Sequence, residues 1–315
     1  MRKIWDKAPH NAFTDLVRFQ DRFFCTFRES DSHAQGQDGK VRVLASADGD
    51  QWTSAALLAE EGIDLRDPKL SVMPDGRLML LAGGSVYQGK TFLTRRPRVA
   101  FSKNGRDWTS TQPILAEDHW LWRVTWHKGR AYGVSKTGPS GTCGRDFLYT
   151  STDGLNWDWV AQFRVTGADE ATLRFGPDDE MIALVRCETG NGHAWVGTSR
   201  PPYKDWLWNQ TGLRLGGPEL IRLPDGRYVA GGRLYEDTLL PQPTGKPRTS
   251  LCWLDPHKGT MTEFLALPSG GDTSYPGMVW HDDMLWVSYY SAHEGTTSRD
   301  AAIYLARIRF DKRKQ

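Results

Sequence analysis

Three residues with reactive side chains occupy the same place in a segment that recurs along the chain. Asp67, Glu170 and Tyr275 each stand three residues before the apolar residue that opens one copy of this segment. A carboxyl group can donate or accept a proton, and a phenol becomes a nucleophile when a neighbouring base removes its proton. Charged side chains are rarely buried without a partner or a purpose. Asp67 and Glu170 therefore either do chemistry or cap strand ends and pair with arginines.

The recurring segment predicts the elements that position these residues. Each copy has an apolar anchor, an alternating run, a turn at Asp-Gly or a similar pair, and a second apolar run. Successive anchors are 54, 54, 49, 47 and 58 residues apart, at Leu16, Leu70, Val124, Leu173, Leu220 and Met278. Such hairpins with a period near 50, and almost no helical periodicity, are typical of a β-propeller. We predict an all-β fold, a six-bladed β-propeller formed as a single domain by residues 1–315.

In a propeller the first strand of each blade lines the central channel. The positions three residues before the anchors should therefore converge on one mouth of the channel, and they are Phe13, Asp67, Leu121, Glu170, Gly217 and Tyr275. Residues 301–310 alternate as a strand and should complete the last blade, together with the segment around Ile4 and Trp5.

A second pattern, S-x-[DN]-G-x-x-W, keeps the same phase as the anchors. It occurs at 46–54, 102–110 and 151–159. The acidic or amide side chain accepts backbone N–H bonds, the glycine supplies positive φ, and the tryptophan packs between blades. We interpret these boxes as structural turns at blade edges, on the face away from any active site.

Composition excludes several classes of function. The 315 residues include 40 basic and 38 acidic side chains, a net charge of +2 that gives no electrostatic case for nucleic-acid binding. No apolar run reaches the roughly 18 residues of a membrane span. The eight histidines and four cysteines show no metal-binding spacing, and no glycine-rich nucleotide motif occurs, so we expect no metal and no cofactor. The first residues lack a secretory apolar core, which favours a cytoplasmic location unless a leader was trimmed. The oligomeric state is not predicted.

The boxes and the six-fold repeat resemble the sialidase (neuraminidase) superfamily. In bacterial exo-sialidases a Glu opens a central strand, and an Arg follows sixteen residues later beyond a turn. Glu170 to Arg186 is similar to that segment, with its turn at Asp178-Asp179. The family's nucleophilic Tyr opens the last central strand, where this chain has Tyr275. The resemblance implies that Tyr275 is the nucleophile, that Glu170 is its base, and that Arg186 binds a substrate carboxylate.

The resemblance also implies a second arginine shortly before the nucleophile, for which Arg248 is the nearest match and Arg233 the alternative. The family's first central strand carries an Arg that this chain lacks at 11–15, so Arg28 or Arg66 should replace it. The family's acid/base Asp lies in the loop after that strand. Here the loop offers Asp31, His33 and Asp38, of which Asp31 is nearest the strand.

Three hypotheses follow from these residues. The first is a retaining, exo-acting glycosidase that releases a terminal acidic sugar from a glycan, with His193 and Trp195 as further candidates for sugar contact. The second is a hydrolase or lyase for a different sugar, which would use Asp67 and Glu170 with His33 or Asp31. The third is a propeller without catalysis that binds glycan or protein, since one fold serves many functions.

Overall fold

The computed structural model describes residues 1–138, 145–235, 246–297 and 299–310. These residues form strands and turns without any helix, and accordingly none of them belongs to a helix that could cross a membrane. In chain order the strands are β1 (Arg2–Trp5), β2 (His10–Phe19), β3 (Arg22–Ser30), β4 (Lys40–Ser46), β5 (Thr53–Leu58), β6 (Asp64–Val72), β7 (Leu78–Gln88), β8 (Thr91–Ser102), β9 (Gln112–Pro113), β10 (Trp120–His127), β11 (Arg130–Thr137), β12 (Arg145–Ser151), β13 (Asp158–Gln162), β14 (Ala168–Phe175), β15 (Met181–Cys187), β16 (Trp195–Ser199), β17 (Leu207–Gln210), β18 (Leu215–Arg222), β19 (Tyr228–Leu234), β20 (Arg248–Asp255), β21 (Thr260–Ala266), β22 (Thr273–His281), β23 (Met284–Ser291) and β24 (Ala302–Arg309).

The strands form six four-stranded antiparallel sheets, which confirms the predicted six-bladed propeller. Blades one to five each use four consecutive strands, from β2–β5 through β18–β21. Blade six combines β22, β23 and β24 with β1, so the two ends of the chain share one sheet, as the sequence predicted. Each innermost strand contacts the next one, and β22 contacts β2, which closes the ring.

The hydrophobic core is divided among the interfaces between neighbouring blades. Six clusters of buried side chains occur, and each joins one blade to the next. Between blades two and three, for example, Met79 and Phe101 pack with Leu121 and Val124. Burying one such side chain contributes about 1.5–3 kcal/mol, so the apolar runs of the repeat hold the ring together.

The three box motifs form the turns between the third and fourth strands of blades one, two and three. In the first box, Asp48 Oδ1 accepts the backbone N–H groups of Asp50 and Gln51, and Trp52 Nε1 donates to the Gly49 carbonyl over 3.0 Å. Because the strands alternate in direction, these turns lie at the opposite end of the blades from the starts of the innermost strands.

A β-bulge interrupts every innermost strand near its start. Two residues there face one residue of the second strand, and the pairs are 13–14, 67–68, 122–123, 169–170, 217–218 and 275–276. The first bulge residue has a left-handed backbone in four blades, with φ of 65° at Phe13, 47° at Asp67, 58° at Gly217 and 51° at Tyr275. For residues other than glycine this costs about 1–3 kcal/mol and persists where the surroundings fix it, commonly at functional sites.

The bulges correct part of the predicted register. In blade three the bulge begins at Trp122, so the expected position Leu121 lies one residue before it. In blade four Glu170 is the second bulge residue rather than the first. In the other four blades the bulge begins three residues before the anchor, whereas it begins two residues before it in blade three and four residues before it in blade four. A shift of one residue turns a strand side chain to the other face of the sheet.

Candidate active site

The candidate site is built around a contact among Tyr275, Glu170 and Arg186. The Tyr275 hydroxyl donates to Glu170 Oε1 over 2.9 Å. Arg186 Nη1 donates to the phenolic oxygen over 2.9 Å and to Glu170 Oε2 over 2.8 Å, while its Nε donates to Glu188. The carboxylate and the guanidinium belong to blade four and the phenol to blade six. These three groups, expected from sequence, lie within hydrogen-bond distance of one another.

Gly217 allows this contact to form. A Cβ on Gly217 would lie 2.7 Å from ring atoms of Tyr275, so a side chain at this position would displace the phenol. The Gly217 amide also donates to Glu170 Oε2 over 2.8 Å. Trp122 and Phe13 pack edge-on against Tyr275, with ring centres 5.4 and 5.3 Å away. The phenol is therefore held on several sides by the bulges of other blades.

Burial and charge set the protonation of the pair. Burial raises the pKa of Tyr275 well above its ordinary value, and the Glu170 carboxylate adds to this, while the cations Arg186 and Arg233 oppose it. Burial would also raise the pKa of Glu170, but the charges of Arg186 and Lys136 and the hydrogen bonds to the carboxylate outweigh it and lower the pKa to about 2. At neutral pH a protonated phenol therefore donates to an ionised carboxylate.

Of the two arginines that the sequence offered near the nucleophile, Arg233 lies beside Tyr275. Its guanidinium carbon is 4.9 Å from the centre of the Tyr275 ring. Hydrogen bonds to Asp272 over 3.1 Å and to the Tyr290 hydroxyl over 2.7 Å fix it there. Arg248 instead forms an ion pair with Glu263 of the outermost strand β21, at 2.7 Å. The nearest sequence match, Arg248, is thus directed to the blade edge.

A cavity of about 440 Å³ opens over Tyr275 and Glu170. Its walls include Phe13, Arg66 and Asp67 from the inner strands of blades one and two, and His33 from the loop between β3 and β4. The volume is at the small end of the range of about 300–1,000 Å³ that is usual for ligand sites. It suits one sugar unit with its anomeric carbon near the phenol.

Asp67 and Arg66 face this cavity with unused hydrogen-bonding capacity. Asp67 is 7% exposed, and its Oδ1 has no hydrogen-bond partner among the described residues. Burial raises the pKa of Asp67, although Arg66 and Lys69 oppose the shift. Arg66 Nε lies 3.8 Å from Asp67 Oδ2 and likewise lacks a hydrogen bond within the described ranges. A carboxyl group and a guanidinium, each with one buried atom that forms no hydrogen bond, thus lie in the cavity wall.

The loop between β3 and β4 presents His33 to the cavity and keeps Asp31 out of it. Asp31 is exposed, and its Oδ1 accepts the backbone N–H of Gln37 over 2.9 Å, which lowers the pKa of Asp31. Arg28 is completely buried and donates to Asp64 over 2.7 Å and to the Ser32 carbonyl over 2.6 Å. Arg28 therefore anchors the loop, and of the two expected replacements for the absent arginine only Arg66 lines the cavity.

Sequence reasoning missed the cluster around Asp272. Its Oδ2 accepts hydrogen bonds from His33 Nδ1 at 2.6 Å and His10 Nε2 at 2.9 Å, and its Oδ1 accepts one from the Tyr290 hydroxyl at 2.8 Å. His10, His33 and Asp272 form one compact cluster, in which one nitrogen of each histidine and one carboxylate oxygen lie within 4.8 Å of one another. The only signal in the sequence is that Asp272 stands three residues before Tyr275.

Other predicted contacts lie elsewhere. His193 is in the turn after β15, where its backbone N–H bonds the Asn191 side chain over 3.0 Å, and it does not line the cavity. The cavity is also lined by three residues that the repeat did not single out, because they do not stand three residues before an anchor: Arg95, Trp120 and Lys136. Lys136 also pairs with Asp169, next to Glu170.

No family model matches the sequence, and no curated protein matches it. Solved structures share its fold. A protein of unknown function from Dyadobacter fermentans has a TM-score of 0.78 at 19% identity, over 97% of this chain and 95% of its own. A sialidase from Trypanosoma rangeli has a TM-score of 0.70 at 13% identity, over 96% of this chain and 55% of its own.

An α-L-arabinofuranosidase from Fusarium graminearum has a TM-score of 0.72 at 13% identity, over 98% of this chain and 96% of its own. The sialidase is longer, and this chain spans just over half of its length. At such identities the likeness concerns the fold. The expected sialidase-like six-bladed propeller is confirmed, and it is a fold on which glycoside hydrolases are built.

Proposed function

We propose that this chain is a retaining, exo-acting glycoside hydrolase that releases a terminal sugar bearing a carboxylate, with Tyr275 as nucleophile. The observation that carries the proposal is the mutual contact of the Tyr275 hydroxyl, the Glu170 carboxylate and Arg186 Nη1, at 2.8–2.9 Å. The phenol and the carboxylate at the base of the cavity can act as nucleophile and base, and the arginine bonded to both can stabilise the developing charge.

The contact supports a two-step reaction. As the Tyr275 oxygen attacks the anomeric carbon, its proton passes to Glu170 Oε1, which already accepts that hydrogen bond. The glycosidic C–O bond breaks, and the leaving-group oxygen keeps its electron pair and takes a proton from a general acid. Arg186 donates to the same oxygen and stabilises negative charge on it. Water then attacks the anomeric carbon and gives one proton to a general base. The bond to Tyr275 breaks, and Glu170 returns its proton to the phenolic oxygen.

A carboxylate on the sugar explains why a phenol should serve here. An Asp or Glu nucleophile would be repelled by a carboxylate next to the anomeric carbon, whereas a neutral phenol is not. Arg66 supports the same substrate class, because its side chain lines the cavity and its guanidinium lies 5.4 Å from the Phe13 ring centre. Arginine binds planar carboxylates through two parallel hydrogen bonds.

The test combines a substrate panel with one substitution. Fluorogenic glycosides of sialic acid, other acidic sugars and neutral sugars are assayed with the wild type, and the best substrate is used for Tyr275→Phe. We expect the variant to fold normally and lose most turnover, since only one oxygen is removed. Tyr203→Phe is the matched control, because that hydroxyl donates to the Asp179 carbonyl, remote from the cavity. Wild-type turnover by Tyr275→Phe would refute the proposal.

One observation favours a second candidate, a two-carboxylate hydrolase for a neutral sugar. Asp67 lines the same cavity as Glu170 with a buried, unpaired oxygen, and its raised pKa suits a proton donor. Glu170 would then be the nucleophile, as in most retaining glycosidases. In that case Asp67→Asn would lose turnover, Tyr275→Phe would retain it, and the preferred substrate would be neutral.

A further inference from the structure

A histidine at the mouth of the cavity is placed to protonate the leaving group. We infer that His33, oriented by Asp272, is the general acid and base of the glycosidase reaction. This inference rests on the proposed function, and it assigns the one role that the contact at the base of the cavity leaves open.

The hydrogen bonds of Asp272 fix the imidazole and leave one ring nitrogen available. His33 Nδ1 bonds Asp272 Oδ2 at 2.6 Å. The other carboxylate oxygen is held by the Tyr290 hydroxyl at 2.8 Å and by Arg233 Nη2 at 3.1 Å. His33 Nε2 makes no hydrogen bond to any residue that the structure describes. A carboxylate that holds one imidazole nitrogen in place and leaves the other for proton transfer is a common catalytic arrangement.

The position of His33 fits a group that acts on the outer end of a substrate. Tyr275 is 6% exposed at the base of the cavity, whereas the His33 side chain is 48% exposed at its mouth. Phe13 contacts both, with its ring centre 4.9 Å from that of His33 and 5.3 Å from that of Tyr275. In an exo-acting enzyme the terminal sugar fills the inner end, so the leaving group extends past the mouth.

A second cavity lies on the other side of His33. It has a volume of about 600 Å³, and residues 33–35 line both cavities. His10, Gly271 and Asp272 form part of its wall. The scissile bond must lie between the cavity for the terminal sugar and the space for the leaving group. His33 stands on that boundary, whereas Asp67 lies inside the first cavity and Asp31 lines neither.

The proposed reaction has two steps. In the first, the imidazolium gives its Nε2 proton to the glycosidic oxygen, which leaves with the electron pair of the C–O bond. Tyr275 forms the new bond to the anomeric carbon, and its proton passes to Glu170. In the second, neutral His33 takes a proton from water as the water oxygen attacks the anomeric carbon. The bond to Tyr275 breaks, and its oxygen regains the proton from Glu170.

The test compares leaving groups on one sugar. His33→Gln is assayed with an activated aryl glycoside, which needs no protonation, and with an alkyl glycoside, which does. We expect kcat/KM to fall by about 10²–10⁴ for the alkyl glycoside and by less than about 10-fold for the aryl glycoside. Azide should accelerate the variant and give a glycosyl azide. His281→Gln is the matched control, because His281 also pairs with an aspartate, Asp282 at 3.1 Å, away from both cavities.

Several results would overturn the inference. Equal losses on both glycosides would indicate a merely structural histidine, and leaving-group dependence in Asp67→Asn instead of His33→Gln would assign the acid to Asp67. Loss of wild-type activity on chelation, restored by Zn²⁺, would assign His10, His33 and Asp272 to a metal ion. If Tyr275→Phe is inactive while His33→Gln is unaffected, this inference fails and the proposed function stands. If the wild type hydrolyses no glycoside, the proposed function itself fails.

Discussion

Gly217→Ala should lower the proposed hydrolase activity about 10²-fold without unfolding the protein. Gly217 has φ of 58°, and a Cβ there would lie 2.7 Å from carbon atoms of the Tyr275 ring. The backbone conformation alone costs an alanine about 1–2 kcal/mol. To reach an ordinary carbon–carbon separation of about 3.5 Å, the ring must also move by roughly 0.8 Å. Such a shift would lengthen the 2.9 Å contacts of the phenol with Glu170 and Arg186.

A displacement near 1 Å in a catalytic group typically costs about 10²-fold in rate, which is the loss of kcat that we expect. The assay measures kcat and the free energy of unfolding for Gly217→Ala and for Gly76→Ala. Gly76 is the matched control, because it has φ of 81° and nothing within 4 Å of the added Cβ. Gly76→Ala should lose about 1–2 kcal/mol of stability, Gly217→Ala should lose more because the Tyr275 ring must also move, and only Gly217→Ala should lose turnover. A Gly217→Ala enzyme with the kcat of Gly76→Ala would refute the reasoning.

Three further predictions concern charge. Arg66→Ala should raise KM for a carboxylate-bearing glycoside by about 10- to 100-fold, because it removes a charge-assisted hydrogen bond, and should leave KM for a neutral analogue unchanged. Equal increases in KM for both glycosides would exclude a carboxylate contact. Arg233→Ala should lower kcat/KM, whereas Arg248→Ala should cost only stability, since Arg248 pairs with Glu263; the reverse pattern in steady-state kinetics would contradict the assignment. Slight burial would raise the pKa of Asp153, but hydrogen bonds from the box turn outweigh it and lower the pKa to about 2. The ionised carboxylate therefore stabilises the fold fully above about pH 4, and this contribution disappears as the pH falls toward 2. Asp153→Asn should therefore lose less stability than the wild type between pH 7 and pH 2.5 in denaturant titrations, and parallel losses would argue against this role.

The fold could be predicted from sequence because each blade repeats the same local signals. Apolar alternation and Asp-Gly turns specify hairpins without reference to the rest of the chain. The pairing of Glu170 with Arg186 came from the resemblance to sialidases, and in the structure the two lie on the two strands of one hairpin, where Arg186 faces the bulge that contains Glu170. Tyr275 followed from its distance to the anchor Met278.

The remainder of the site depends on contacts that no local pattern records. His10 and Asp272 are 262 residues apart and meet only because the last blade closes against the first. The choice of Arg233 over Arg248 depends on their places in blade five. Arg233 on β19 reaches Asp272 beside blade six, whereas Arg248 on β20 pairs with Glu263 of β21. In blade three Trp122, and not the expected Leu121, occupies the first bulge position, because the bulge begins one residue later than the anchor spacing predicts.

The most direct test of a tyrosine nucleophile is to trap the covalent intermediate. A fluorinated glycosyl fluoride of the preferred sugar, in which the fluorine slows the second step, is incubated with the wild-type protein. Peptides are then mapped by mass spectrometry. We predict one glycosyl adduct, on the peptide that contains Tyr275, and no adduct in Tyr275→Phe. An adduct on Glu170 or Asp67 would contradict the phenol mechanism and assign the reaction to two carboxylates.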